Sequence, residues 1–189
     1  MISPATISAP PSTNLVCTFN PAVVLATSIL TSSEPNYTLP PAVLIPTGNE
    51  DLSNVTISLN GSIVLNNSSA VNSLSGTIGT ASGTAGSYSN FTAYGPYNLY
   101  QGSTYDFSLS SISAGTINKN NSMSIYIDYN RNGVFTDAGE QVYISTNISG
   151  PHTRTGTFTV PANAVSGLTR MRICQIAVSY THLRAHETG

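Results

Sequence analysis

The residues best suited to chemistry lie in one stretch, DYNRNGVFTDAGE, which runs from Asp128 to Glu140. Three of the chain's eight acidic residues fall within it, and Gly133 and Gly139 allow its backbone to turn tightly. Carboxylate, amide and carbonyl oxygens are the ligands that Ca²⁺ prefers in proteins. We therefore hypothesise one Ca²⁺ site, with ligands from Asp128, Asn130, Asn132, Asp137, Glu140 and the Val134 carbonyl.

The spacing of these residues allows two interpretations. Asp128, Asn130 and Asn132 before Gly133 resemble the start of an EF-hand loop, but Glu140 falls one place late and no helical pattern flanks the loop. Crowded carboxylates repel one another, which favours a bound cation, although Arg131 offers a positive charge inside the loop. The alternative is a turn between two strands, capped by Asn and Asp side chains. Both interpretations stay open.

Catalytic arrangements receive little support. Asp128 and Glu140 are a possible glycosidase-like carboxylate pair, but so sparse a set of charges leaves nothing to orient a substrate. His152 precedes a predicted strand without a neighbouring Asp, so a turn histidine is the simpler interpretation. We predict that the chain is not an enzyme.

A second candidate site is aromatic. Tyr88, Tyr94 and Tyr97 lie in one Tyr-rich stretch that ends at Tyr100. Such rings either stack against sugars or cover the edge of a hydrophobic core, and the second interpretation is favoured here. The first would make the chain a carbohydrate-binding module attached to a secreted hydrolase.

The composition excludes several classes of function. Only 7% of the residues are charged, the net charge is −2 and Lys119 is the only lysine, so there is no basic surface for nucleic acid. No run of about 18 apolar residues predicts a membrane span. The scarcity of Lys and Glu resembles that of secreted bacterial surface modules.

Short alternating segments predict the fold. About eight strands are spaced along residues 51–176, and Asn60-Gly61 is a strong hairpin signal. This pattern predicts an all-β protein with an antiparallel β-sandwich of jelly-roll or Ig-like type. The Pro-rich residues 1–44 predict a linker or the end of an upstream module. Cys17 lies in that region and Cys174 in the last strand, so either a disulfide or separate thiols are possible.

The last residues depart from this pattern. Residues 178–189, beginning VSYTHLRAHET, resemble the translation of a sequencing-library transposon adapter. We expect them to be a non-native tail that packs against nothing. We therefore exclude His182 and His186 as metal ligands, although their i, i+4 spacing would suit a pair of ligands.

Five longer segments deserve comparison as a set: EDLSNVTI, AGSYSNFTAY, SIYIDYNRNGVFTDAGE, HTRTGTFTVPA and GLTRMRI. Taken together, they resemble the GEVED domain of secreted bacterial proteins, which is common in Bacteroidota. The resemblance covers residues 45–177, but the Gly-Glu-Val-Glu-Asp motif that names the family is absent, so we expect a sandwich that is incomplete at its C-terminus. It implies a non-catalytic module in a large secreted or cell-surface protein. The implied partners are other domains of the same polypeptide, with glycans or cell-surface proteins as further candidates.

Overall fold

The computed structural model describes residues 13–19, 22–25, 34–37, 50–68, 91–113 and 120–178. These residues form eleven strands and one 3-10 helix, Thr92–Tyr94, so the predicted all-β class is confirmed. None of the described residues forms a helix long and apolar enough to cross a membrane. The strands are β1 Thr13–Phe19, β2 Ala22–Leu25, β3 Glu50–Leu59, β4 Ser62–Ser68, β5 Tyr97–Leu99, β6 Thr104–Ser113, β7 Asn120–Ile127, β8 Gln141–Ile144, β9 Ile148–Ser149, β10 Thr153–Thr159 and β11 Gly167–Val178.

Two sheets pack as the predicted sandwich. Four strands form one sheet in the order β10-β6-β3-β4, and seven form the other around the path β5-β2-β11-β7-β8, with β1 paired to β11 and β9 to β7. All pairs are antiparallel except β2 with β5, which are parallel. Asn60 and Gly61 both have positive φ, 50° and 78°, which is the backbone that a two-residue hairpin between β3 and β4 requires.

Alternation along the strands places the core between the sheets. In β6, Tyr105, Phe107 and Leu109 are buried while Asp106 is exposed, as a half-buried strand requires. Strand β7 differs because its residues are buried on both faces, polar Ser124 included. This strand leads directly into the acidic loop and gives it a rigid base.

The N-terminal region departs from the expected linker. Strands β1 and β2 both lie within residues 1–44, and both pair with β11, which also pairs with β7. Proline punctuates this region, but residues 12–20 and 22–34 contain none. Two short strands therefore fit between the prolines.

The start of the expected tail also needs a correction. Val178 does not stand apart, because it is the last residue of β11 and pairs with Asn120 of β7 and Thr13 of β1. The other tail residues, 179–189, lie outside the described residues.

A disulfide crosses the β1–β11 pair. Cys174 is disulfide-bonded, and no cysteine among the described residues is free. Cys17, the chain's only other cysteine, lies directly opposite Cys174 in the antiparallel register. The disulfide interpretation of the two cysteines is therefore the one that the structure supports, and it attaches the first strand to the last.

We expect the substitution Cys174→Ser to lower the free energy of unfolding by about 2–5 kcal/mol, because the bond closes a loop of most of the chain in the unfolded state. Urea denaturation measures the change. A reducing agent should lower the wild type to the level of the variant and leave the variant unchanged. Coincident denaturation curves for the oxidised wild type and the variant would contradict the prediction.

Candidate functional site: the acidic loop

The acidic loop, residues 128–140, connects β7 to β8. Its two ends are held together because the Ile127 N–H donates to the Glu140 carbonyl at 2.9 Å. The side chains at its ends, Asp128 and Glu140, are 0% and 2% exposed. Two carboxylates are therefore buried at the base of the loop, where burial is costly unless each oxygen has a partner.

Asp128 has partners for both of its carboxylate oxygens. Oδ1 accepts from the Asn132 N–H at 3.2 Å. Oδ2 accepts from the Gly133 N–H at 2.9 Å and from the Tyr37 hydroxyl at 2.6 Å. The backbone carbonyl of Asp128 also accepts from the Thr169 hydroxyl at 2.7 Å. This side chain therefore organises the first half of the loop around itself.

The exposed part of the loop converges on Asp137. The side-chain amides of Asn130 and Asn132 both donate to Asp137 Oδ2, each at 2.6 Å. Their Oδ1 atoms accept from the N–H groups of Asn132 and Val134, both at 3.0 Å. The structure thus contains the side-chain caps of the structural-turn interpretation, and it also brings three predicted ligand side chains to one point.

Glu140 is the exception in this network. Its Oε1 accepts from the Tyr129 N–H at 3.1 Å, but its Oε2 is buried without a hydrogen-bond partner. Burial is the largest cause that raises the pKa of Glu140 to about 7, and the charge of Asp128 is the second. The backbone groups of Asn130 and Asp137 lower this pKa in part. A buried carboxylate oxygen without a hydrogen-bond partner is stabilised when it binds a proton or a cation.

The ligand set is mixed. Within the described ranges, no three His, Cys, Asp or Glu side chains form a group that could hold a metal by themselves. A cation would therefore need amide or backbone oxygens as well, which the calcium hypothesis already includes. Val134 is 44% exposed, at the open side of the loop. Arg131 has a positive φ of 59° and donates to the carbonyls of Leu168 and Ser166.

Residues 34–37 complete the site, and the sequence analysis missed them because they lie in the expected linker. The Tyr37 ring lies 5.5 Å from the Phe135 ring, centroid to centroid, and Glu34 forms a salt bridge with Arg170. Gly133 touches the same segment, since a Cβ there would lie 2.7 Å from the Asn36 carbonyl oxygen. One signal was available: Glu34 is the only acidic residue among the first 49.

The other candidate residues lie elsewhere. Tyr94 is 50% exposed, with its ring 6.0 Å from Phe91. Tyr97 packs against the core and donates its hydroxyl to Asn67 Oδ1 at 3.1 Å, while Tyr88 lies outside the described residues. His152 is half-buried in a turn, where its Nδ1 lies 2.8 Å from the Gly150 carbonyl oxygen.

Comparison with protein families finds one family model that matches part of this β-sandwich, including the acidic loop. The GEVED domain model matches residues 122–188, about a third of the chain, including β7, the acidic loop and β11. The resemblance drawn from the sequence is therefore confirmed, and GEVED is a family of accessory domains. The matched range also takes in residues 178–188. No curated protein and no solved structure matches the chain.

The first prediction for the loop concerns Glu140. Because its pKa in the folded protein lies above the ordinary 4.5, its contribution to stability is full below pH 4.5 and is lost as the pH rises through about 7. In cation-free buffer, the melting temperature of the wild type should therefore fall relative to that of Glu140→Gln across this window. Asp106→Asn, a change at an exposed carboxylate on β6, is the control. Parallel pH profiles for wild type and Glu140→Gln would contradict the prediction.

The second prediction compares two glycines with nearly equal φ, 86° at Gly133 and 87° at Gly139. The Cβ added by Gly139→Ala would meet open space, so this substitution should lower the free energy of unfolding only by the left-handed backbone strain, about 1–2 kcal/mol. Gly133→Ala should cost about 1–3 kcal/mol more, because its Cβ would meet the Asn36 carbonyl. Chemical denaturation of both variants measures the difference. Equal losses would show that residues 34–37 do not pack on the loop.

Proposed function

We propose that this chain is a non-catalytic accessory module of a large secreted or cell-surface bacterial protein, and that one Ca²⁺ in the acidic loop stabilises it. The observation that carries the calcium part is Glu140 Oε2, a buried carboxylate oxygen without a hydrogen-bond partner. It is reinforced by Asp128, which is fully buried and whose charge acts on Glu140. A divalent cation bound between them would offset the cost of burying the Asp128 carboxylate and that of burying the Glu140 carboxylate.

The remaining donors suit calcium better than a softer or smaller ion. Calcium accepts six to eight oxygens in flexible geometry, whereas zinc selects nitrogen and sulfur. Asn130 and Asn132 meet at Asp137. A half-turn of each amide would bring its oxygen to that point. The half-turn would break the hydrogen bond that the oxygen now accepts from the Asn132 or Val134 N–H, and binding of the ion would have to offset that loss. The formal charges of Asp128, Asp137 and Glu140 and of one Ca²⁺ sum to −1, so the ion would offset most of the repulsion within the loop.

Placement outside the cell is supported by the disulfide and by the composition. Disulfides persist in oxidising compartments and are rare in the cytosol. Cys174 is disulfide-bonded, and only 7% of the residues are charged, as in secreted surface modules. The module would serve adhesion or ligand presentation beside other domains of its polypeptide, since its GEVED family is an accessory one.

Thermal melts test the calcium proposal. At 10 mM calcium, an extracellular-type Kd of roughly 0.1–1 mM should stabilise the fold by about 1.4–2.7 kcal/mol relative to chelator. Asp128→Asn should abolish the difference, because it removes a charge from the loop at nearly constant size. Asp106→Asn removes a charge from the other sheet and should keep the full response. If wild-type melts with calcium and with chelator coincide, the loop is a structural turn.

A second candidate function is carbohydrate binding, and the specific observation in its favour is the half-exposed Tyr94 ring. Tyr97 is less suitable, because its hydroxyl is engaged by Asn67 and its ring packs against the core. If sugars stack on this surface, a glycan array should give binding that Tyr94→Ala weakens by up to about tenfold, since aromatic stacking contributes at most about 1.5 kcal/mol. Tyr97→Phe should leave it unchanged. An array without binding would remove this candidate.

A further inference from the structure

We propose that residues 34–37 are a calcium-linked latch: their docking onto the acidic loop and the binding of Ca²⁺ by that loop strengthen each other, with Tyr37 as the positioning residue. The inference rests on the calcium site proposed above. It goes further by assigning a role to a segment of the chain that lies about 90 residues from the loop in sequence.

The first contact fixes the ligand at the base of the loop. Tyr37 donates to Asp128 Oδ2 at 2.6 Å, and the Gly133 N–H donates to the same oxygen at 2.9 Å. With Oδ2 held from two sides, Oδ1 is left with one longer bond of 3.2 Å, from the Asn132 N–H. Oδ1 is therefore the oxygen available to a cation, and Tyr37 determines the orientation in which it is presented.

The second contact is with the loop backbone. The Asn36 carbonyl oxygen packs so closely on Gly133 that a Cβ would come within 2.7 Å of it. Beside it, the Tyr37 ring packs on Phe135, and the Arg172 guanidinium lies 4.3 Å from the Phe135 centroid. Any cation-dependent change in the turn at Gly133 must therefore change the packing of residues 36 and 37 as well.

The third contact ties the start of the segment to the same place. Glu34 pairs with the Arg170 side chain, while the Arg170 carbonyl accepts from the Asp128 N–H at 3.2 Å. Thr169, next to Arg170, lies 2.8 Å from the Tyr37 hydroxyl and also donates to the Asp128 carbonyl. Both ends of the segment are thus attached to the residues that surround Asp128.

These contacts imply a reciprocal coupling. If docking of the segment improves calcium binding by some factor, calcium must improve docking by the same factor. The consequence is mechanical. Calcium outside the cell would hold residues 34–37, which lie between β2 and β3, more firmly against the acidic loop.

Calorimetric titration with CaCl₂ tests the latch on the full chain. Tyr37→Phe removes only the hydroxyl and should weaken calcium binding about fivefold or more, the lower range of measured coupling between sites. Glu34→Gln should weaken it as well, although Glu34 is not a proposed ligand. Tyr97→Phe is the matched control, since it removes a tyrosine hydroxyl bonded to Asn67 away from the loop. It should bind as the wild type does.

Hydrogen exchange of wild-type protein supplies a readout that does not depend on the variants folding. Calcium should slow exchange of the peptide that contains residues 34–37, because bound calcium favours the docked segment. If the wild type binds calcium but exchange in 34–37 is unchanged and Tyr37→Phe binds like Tyr97→Phe, the latch is overturned while the calcium site stands. If the wild type binds no calcium, both proposals fail.

Discussion

The acidic loop depends on one constraint: two carboxylates, those of Asp128 and Glu140, are buried together at its base. Burial of a charge is costly unless the charge is paired and hydrogen-bonded. Both oxygens of Asp128 and Oε1 of Glu140 obtain hydrogen bonds, largely from loop backbone, and that requirement shapes the turn at Gly133. Only Glu140 Oε2 lacks a partner, and the raised pKa of Glu140 expresses the remaining cost.

The scaffold explains why the pair is held so firmly. Strand β7 is buried on both faces and places Asp128 at its end, and β11 places Thr169 and Arg170 beside it. Strand β11 in turn pairs with β7 on one side and with β1 and β2 on the other. The disulfide at Cys174 adds a covalent constraint to this strand. The site is therefore supported by a strand that pairs with three other described strands of the larger sheet.

Much of this was predictable from local patterns. Alternation predicted about eight strands along residues 51–176, where the described residues form β3 to β11, and Asn60-Gly61 located the β3–β4 turn. These signals could be found because they depend on neighbours in sequence. Strands β1 and β2 were not assigned to the sandwich, since their shared partner β11 lies about 150 residues away. The contacts of Tyr37 with Asp128 and Thr169 were hidden for the same reason.

The burial of Glu140 was equally beyond local sequence. In the sequence, Glu140 lies in a polar loop, where a glutamate is usually exposed to solvent. Only the fold shows that it is 2% exposed, accepts a hydrogen bond from the Tyr129 N–H and is affected by the charge of Asp128. A hydrophobic pattern reports which residues face the core, but a buried carboxylate follows no such pattern. Its position follows from how the loop closes between β7 and β8.

The most direct test of the account is an NMR titration of the Glu140 side-chain carboxyl carbon, with and without calcium. Without the ion, the account predicts a midpoint near pH 7, because the carboxylate is buried beside Asp128. With saturating calcium, the midpoint should fall below the ordinary 4.5, because the cation stabilises the ionised form. A midpoint that stays the same in both conditions would contradict the claim that this buried oxygen is a cation ligand.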